Sequence, residues 1–195
     1  MRGVCAALFV VLLTSTAGCG GSEPAAASPS PVIVSNSSEP PAGPGACRVG
    51  FDELTVNHAA FTSHTGCGLS ITATAASWLV STTYGHPAPF IEFGSAAGST
   101  TVGEVTVSGG GRTFAFTSLD IYSSTTKIPY EIKGTANGAV LFTIAKVQGN
   151  TYGNFATVVN PQPSVLVDTL RIRLTNAAAP CCSNPMGLDE LRVIR

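Results

Sequence analysis

Ten short runs in which apolar and polar residues alternate constrain this chain more than any other feature. They are "FDELTV" (51–56), "LSITATAASWLV" (69–80), "FIEF" (90–93), "GEVTV" (103–107), "RTFAFTSLDIY" (112–122), "YEIKG" (130–134), "AVLFTIAKV" (139–147), "FATVV" (155–159), "LVDTLRIRLT" (166–175) and "LDELRVI" (188–194). Thr, Val, Ile and Phe fill the runs, and Gly, Pro, Asn and Ser separate them at a spacing of about ten residues. Side chains that alternate at period two suit a half-buried strand, and a helical period is nearly absent. The pattern predicts an all-β fold, an antiparallel β-sandwich or barrel. Asn137-Gly138 supplies the two positive φ angles of a tight hairpin turn, so residues 130–147 should fold back on themselves. In 112–122 the apolar residues Phe114, Phe116, Leu119 and Ile121 cannot share one face at period two, and a bulge near Ser118 would restore the register. In 166–175 the alternation is clean, with Leu170, Ile172 and Leu174 on one side and Arg171 and Arg173 on the wet one.

The N-terminal 46 residues are of another kind. "MRGVCAALFVVLLTSTAGCGG" has a basic start, an apolar run too short to span a bilayer and a small-residue exit, which together describe an export signal. Thr16-Ala17-Gly18-Cys19 resembles the bacterial lipobox, in which the cleaved chain begins at a lipid-bearing cysteine. That resemblance implies a signal peptide over 1–18, lipid (palmitate among its acyl chains) on Cys19, and an extracytoplasmic place in a bacterial envelope. Residues 20–46 carry six prolines and almost no aromatic or charged groups. They read, with Cys19, as an extended tether. The remainder, 47–195, fits one domain, long enough to bury about 68–70% of its unfolded surface. It holds nine acidic and nine basic residues and no basic patch, which argues against a nucleic-acid partner.

"FTSLDIYSS" leading into "YEIKGTANGAVLFT", and the closing "GLDELRV", resemble the galactose-binding-domain-like jelly rolls of small secreted bacterial proteins. The resemblance covers residues 112–195 and, more loosely, 51–80. It implies that the first and last strands are neighbours, which would bring Asp52-Glu53 and Asp189-Glu190 together. Adjacent carboxylates repel unless neutralised, and such jelly rolls often place a structural Ca²⁺ between those strands. On that resemblance Asp52 or Glu53 and Asp189 are the expected metal ligands, solvated acids being the alternative. With the terminal strands antiparallel, as the resemblance implies, Cys67 after the first strand lies near Cys181 and Cys182 before the last. Cys47 would then sit about 30 Å away, at about 3.3 Å per residue. The favoured disulfide is therefore Cys67 to the 181–182 corner. A vicinal Cys181–Cys182 bridge is the runner-up, since adjacent Cα atoms stand only about 3.80 Å apart.

Two loop regions concentrate groups suited to a sugar, which is bound by flat aromatic faces with polar groups for its hydroxyls. "SWLVSTTYGHPAPF" offers Trp78, Tyr84 and His86, and "GNTYGNF" offers Tyr152 and Asn154. For Trp78, the single tryptophan, a place in the core is the competing expectation. No nucleophile elbow, zincin or phosphate-loop motif occurs, and no Cys or His pair has zinc-knuckle spacing. The sequence thus points to a non-catalytic, lipid-anchored binding module, possible partners being carbohydrate or another envelope component. A structural envelope protein without a small-molecule site is the alternative, and a hydrolase a weaker one.

Overall fold

The structure, a computed structural model, describes residues 45–83, 88–177 and 183–195. The signal, the tether up to residue 44 with Cys19, the rim residues Tyr84 and His86, and the Cys181–Cys182 pair lie outside the described residues.

In chain order the strands are β1 (Ala46–Val49), β2 (Ala60–Phe61), β3 (Ser63–Gly66), β4 (Leu69–Ala75) and β5 (Trp78–Ser81). There follow β6 (Phe90–Ser95), β7 (Thr101–Ser108), β8 (Phe114–Ser123), β9 (Ile128–Ala136) and β10 (Ala139–Gln148). The last are β11 (Phe155–Val159), β12 (Leu166–Val167), β13 (Thr169–Asn176) and β14 (Asn184–Ile194). All pairings are antiparallel. One sheet runs β11-β8-β14-β6-β5-β2, with β1 added on β14 and β12 on β8; the other runs β10-β9-β13-β7-β4-β3. The chain crosses repeatedly from one sheet to the other, and the fold is an all-β antiparallel sandwich of the jelly-roll class.

The second sheet follows the period-two rule closely. Leu170, Ile172 and Leu174 of β13 are buried against the first sheet, while Arg171 and Arg173 face outward. Asn137 and Gly138 take φ of 51° and 78°, and β9 and β10 pair directly across them, as that dipeptide requires. In β8 the core side changes parity between Phe116 and Leu119, where the register with β14 also shifts, so the expected bulge is present. The run 69–80 is two strands rather than one. Ala76, at φ 66°, turns the chain from β4 in the second sheet to β5 in the first.

The first strand is displaced from its expected place. Residues 51–56 form turns, not a strand, and β1 precedes them, pairing with the end of β14 from Ala46↔Ile194 to Val49↔Leu191. The chain turns back through residues 50–62, and the β3–β4 hairpin brings Cys67 beside Cys47. The two form a disulfide, with Cα atoms 6.2 Å apart. This corrects the expected link from Cys67 to the 181–182 corner. The half-turn after β1 removes the 30 Å separation on which that pairing rested. The bond joins β1 of one sheet to a hairpin of the other, at a corner where the Arg195 guanidinium also donates to the Cys67 carbonyl.

Candidate functional site

The outer face of the first sheet is the unusual surface of this domain. Ile121, Leu188, Ile91 and Val80 form a row across β8, β14, β6 and β5 that points into the core. Alternation therefore turns the next row, Tyr122, Gly187, Glu92 and Leu79, to the outside. A parallel outer row holds Thr157, Asp120 and Asp189, with Ser81 opposite Phe90 farther along the sheet. An outward face is ordinarily wet, yet Phe90, Tyr122, Glu92, Asp120, Asp189 and Ser81 are all buried.

Part of this burial is aromatic. The Phe90 ring packs at 4.8 Å from Tyr122 and edge-on at 5.2 Å from Phe155, and Tyr122 and Phe155 are 5.6 Å apart. Gly187 makes room for it, because a Cβ there would stand 2.8 Å from the Phe90 ring. Around the cluster lie the polar groups. Asp120 accepts a 2.6 Å hydrogen bond from the Thr157 hydroxyl and pairs with Arg192 at 3.4 Å. Glu190 occupies a left-handed backbone position (φ 52°) at the β14 bulge and is held by Arg192 at 2.6 Å and Arg48 at 2.5 Å. Burial raises the pKa of Glu190 and the two guanidinium groups oppose the rise. Asp189 makes none of these ion pairs. Burial, with Glu190, Asp52 and Asp120 nearby, lifts its pKa to about 7 against a partial correction from the Glu190 backbone amide.

Among the described residues, the buried side-chain polar atoms left without a hydrogen-bond partner are Ser81 Oγ, Glu92 Oε2 and Asp189 Oδ1. All three stand on this one face. A buried polar atom without a partner costs about 1–3 kcal/mol, so such atoms mark places where a ligand or water completes the structure. Glu92 is the one of the three that opens onto space. It lines a cleft of about 380 Å³ together with His58, Leu79, Gly94, Tyr122, Ser124, Ser183 and Pro185. That volume falls within the range of about 300–1,000 Å³ usual for ligand sites. His58, which is exposed, takes a left-handed backbone conformation (φ 59°), its amide donating to the Val80 carbonyl at 2.8 Å. Burial raises the Glu92 pKa, and His58 is the group that opposes the rise. A second depression, of about 400 Å³ over Glu131, Val147, Arg173 and Thr175, lies on the outer face of the second sheet. The charges along that face neutralise one another, Arg171 reaching Glu131 at 3.1 Å and Glu104 at 3.7 Å. No orphaned buried atom marks it.

The residues singled out in the sequence are placed as follows. Trp78 is 1% exposed in the core, its ring tilted against that of Phe93 at 4.7 Å, with its indole N–H donating to the Ala75 carbonyl at 2.8 Å. It is no sugar platform, because β5 begins at Trp78 and turns that residue inward. Tyr152 is 80% exposed on the β10–β11 loop, at φ 51°, and Asn154 closes the same turn onto the Thr151 carbonyl. Neither lines the cleft. Asp52 is exposed and ion-paired with Arg48 at 2.7 Å, while Glu53 meets His64 at 3.2 Å. Asp52 and Glu53 thus make separate ion pairs while Asp189 makes none, and among the described residues no three His, Cys, Asp or Glu side chains form a metal-holding group. The closeness of the terminal acids is real, but Arg48 bridges Asp52 and Glu190. Sequence reasoning missed Glu92, His58 and Tyr122. The available signal was Glu92 itself, a carboxylate inside "FIEF" with aromatic residues on both sides.

No protein-family model matches the chain, and no curated protein matches it either. Among solved structures it is similar to the family 32 carbohydrate-binding module of C. perfringens NanJ, solved in complex with galactose. The identity is 12% and the TM-score 0.39, over 68% of this chain and 97% of that one. It is also similar to TmCBM61, solved in complex with β-1,4-galactotriose, at 9% identity and TM-score 0.42, covering 65% of this chain and 88% of the other. A third is CBM29_1, a family 29 carbohydrate-binding module from Piromyces equi, at 8% identity and TM-score 0.41, covering 76% and 89%. At these TM-scores and identities the likeness transfers neither a ligand nor a residue role to this chain.

Proposed function

We propose that this domain is a non-catalytic module that binds carbohydrate in the Glu92 cleft, and that lipid on Cys19 holds it at a bacterial envelope. The observation that carries the binding reading is Glu92, a buried carboxylate with an orphaned Oε2, in the lining of a cleft whose other described residues are, His58 apart, apolar or hydroxylic. A sugar presents hydroxyl donors at its edge and C–H groups on its faces. Glu92 would accept from the first, the Ser124 and Ser183 hydroxyls would add rim contacts, and Leu79, Tyr122 and Pro185 would cover the second. Among the described lining residues Glu92 is the one carboxylate, without the paired second that glycoside cleavage ordinarily uses, so the cleft suits holding a sugar more than cleaving it. The anchor rests on the lipobox-like residues 16–19.

The test is a glycan array probed with the purified full chain, followed by calorimetric titration of the glycans retained. Saturable binding is expected, reduced at least about tenfold by Ser124→Trp, which fills the cleft from its rim without touching the core. Binding that survives Ser124→Trp unchanged, or retention of no glycan, would overturn the reading and leave an envelope interaction protein without a small-molecule site.

A further inference from the structure

Resting on that reading, we infer that the cleft selects an amine-bearing sugar, with the sugar's ammonium group on Glu92. Glu92 is 7% exposed and its Oε2 has no partner. An ionised carboxylate only accepts hydrogen bonds, so it needs donors, and desolvation makes a cationic donor worth about twice a neutral one. None of the described residues lining the cleft is a Lys or Arg. The cations nearest along this face are already engaged, Arg48 with Asp52 and Glu190, and Arg192 with Glu190 and Asp120. His58 is the titratable group whose field acts on Glu92, and it is exposed where Glu92 is buried.

No Lys or Arg among the described lining residues would repel a cationic sugar, and the Glu92 carboxylate itself would disfavour an anionic one. A neutral sugar could satisfy the carboxylate with a hydroxyl, but would add no cationic donor to the field of His58. The apolar walls Leu79, Tyr122 and Pro185 suit a ring carrying the amine better than a flexible amine on its own, since a ring covers them while its substituent reaches the floor.

The experiment compares three β-1,4-linked oligomers of equal length in calorimetric titrations with the full chain: glucosamine, N-acetylglucosamine and glucose. A pH of about 6 keeps the amine protonated. The glucosamine oligomer should bind at least about tenfold more tightly than either other, the gap between a charge-assisted and a neutral hydrogen bond. Glu92→Gln, which keeps the shape and removes the charge, should bring the three affinities together. If that variant does not fold, the wild-type ratio decides alone. Equal or weaker binding of the glucosamine oligomer, with the neutral ones bound, overturns this inference and leaves the carbohydrate reading standing. A Glu92→Gln variant that folds and keeps the preference overturns it too. Failure of every glycan on the array, by contrast, overturns the carbohydrate reading itself.

Discussion

Breaking the Cys47–Cys67 disulfide should weaken the domain without unfolding it, by an amount that depends on which cysteines are joined. The bond spans a sequence separation of 20. In the chain-entropy account, a closed loop of that length restricts the unfolded chain by about 3 kcal/mol, whereas a link from Cys67 to the 181–182 corner, closing more than a hundred residues, would give about 4.7. For a domain of this size each kcal/mol moves the melting temperature by about 2–4 °C, so the expected loss is about 6–12 °C. The native state should survive, because the core formed by Phe51, Trp78, Phe93, Phe116 and Ile172 does not rest on the bond. Thermal unfolding followed by circular dichroism, with and without reductant and in the Cys47→Ala/Cys67→Ala double variant, measures the loss. Non-reducing peptide mapping identifies the partners. A peptide joining Cys67 to residues 181–182 would refute the reasoning, as would a double variant as stable as the oxidised wild type.

Asp189→Asn should stabilise the domain in a pH-dependent way. The folded pKa of Asp189, about 7, lies above its ordinary 3.8. As pH rises from about 4 to about 7 the unfolded chain ionises while the folded chain keeps its proton, so the wild type loses stability across that window and Asn does not. The gap in urea-unfolding free energy should grow across the window to at most about 4 kcal/mol and then level off; a gap independent of pH would show that burial of the charge is not its cause. Cys19→Ser should move the protein from the membrane fraction to the soluble one, because the acyl chains supply the attachment. Sedimentation with membranes after a salt wash, or a wild type without lipid by mass spectrometry, would end that proposal.

How far the sequence could be read depended on how many faces of each strand are covered. The second sheet has one wet face, so alternation in "LVDTLRIRLT" sorts its residues correctly, and the Asn137-Gly138 turn fixes its neighbours. In the first sheet the central strands β8, β14 and β6 are buried on both sides over most of their length. Four of the first four residues of β6, Phe90 to Phe93, are buried, and period two then carries no information about which of them faces the core. The terminal strand was mislaid for a related reason. "FDELTV" alternates well, but its acids are used in a loop, Asp52 on Arg48 and Glu53 on His64, while the true strand "ACRV" is too short to show a period. Trp78 shows the same dependence on long-range context. Its alternation in 69–80 could be counted only from a strand that Ala76 interrupts, so its direction was unreadable. Glu92 is the hardest case and the one that matters. A carboxylate between Ile91 and Phe93 announces either a wet position or a buried one, and the choice is made by what stands across the ladder, Gly187 on one side and Leu79 on the other. Gly187 offers no side chain to meet the acid and Leu79 no hydrogen bond, so the floor of the cleft is polar for want of neighbours that could satisfy it. That property belongs to the pairing of three strands far apart in the chain, and it is why the site emerges from the fold and not from a motif.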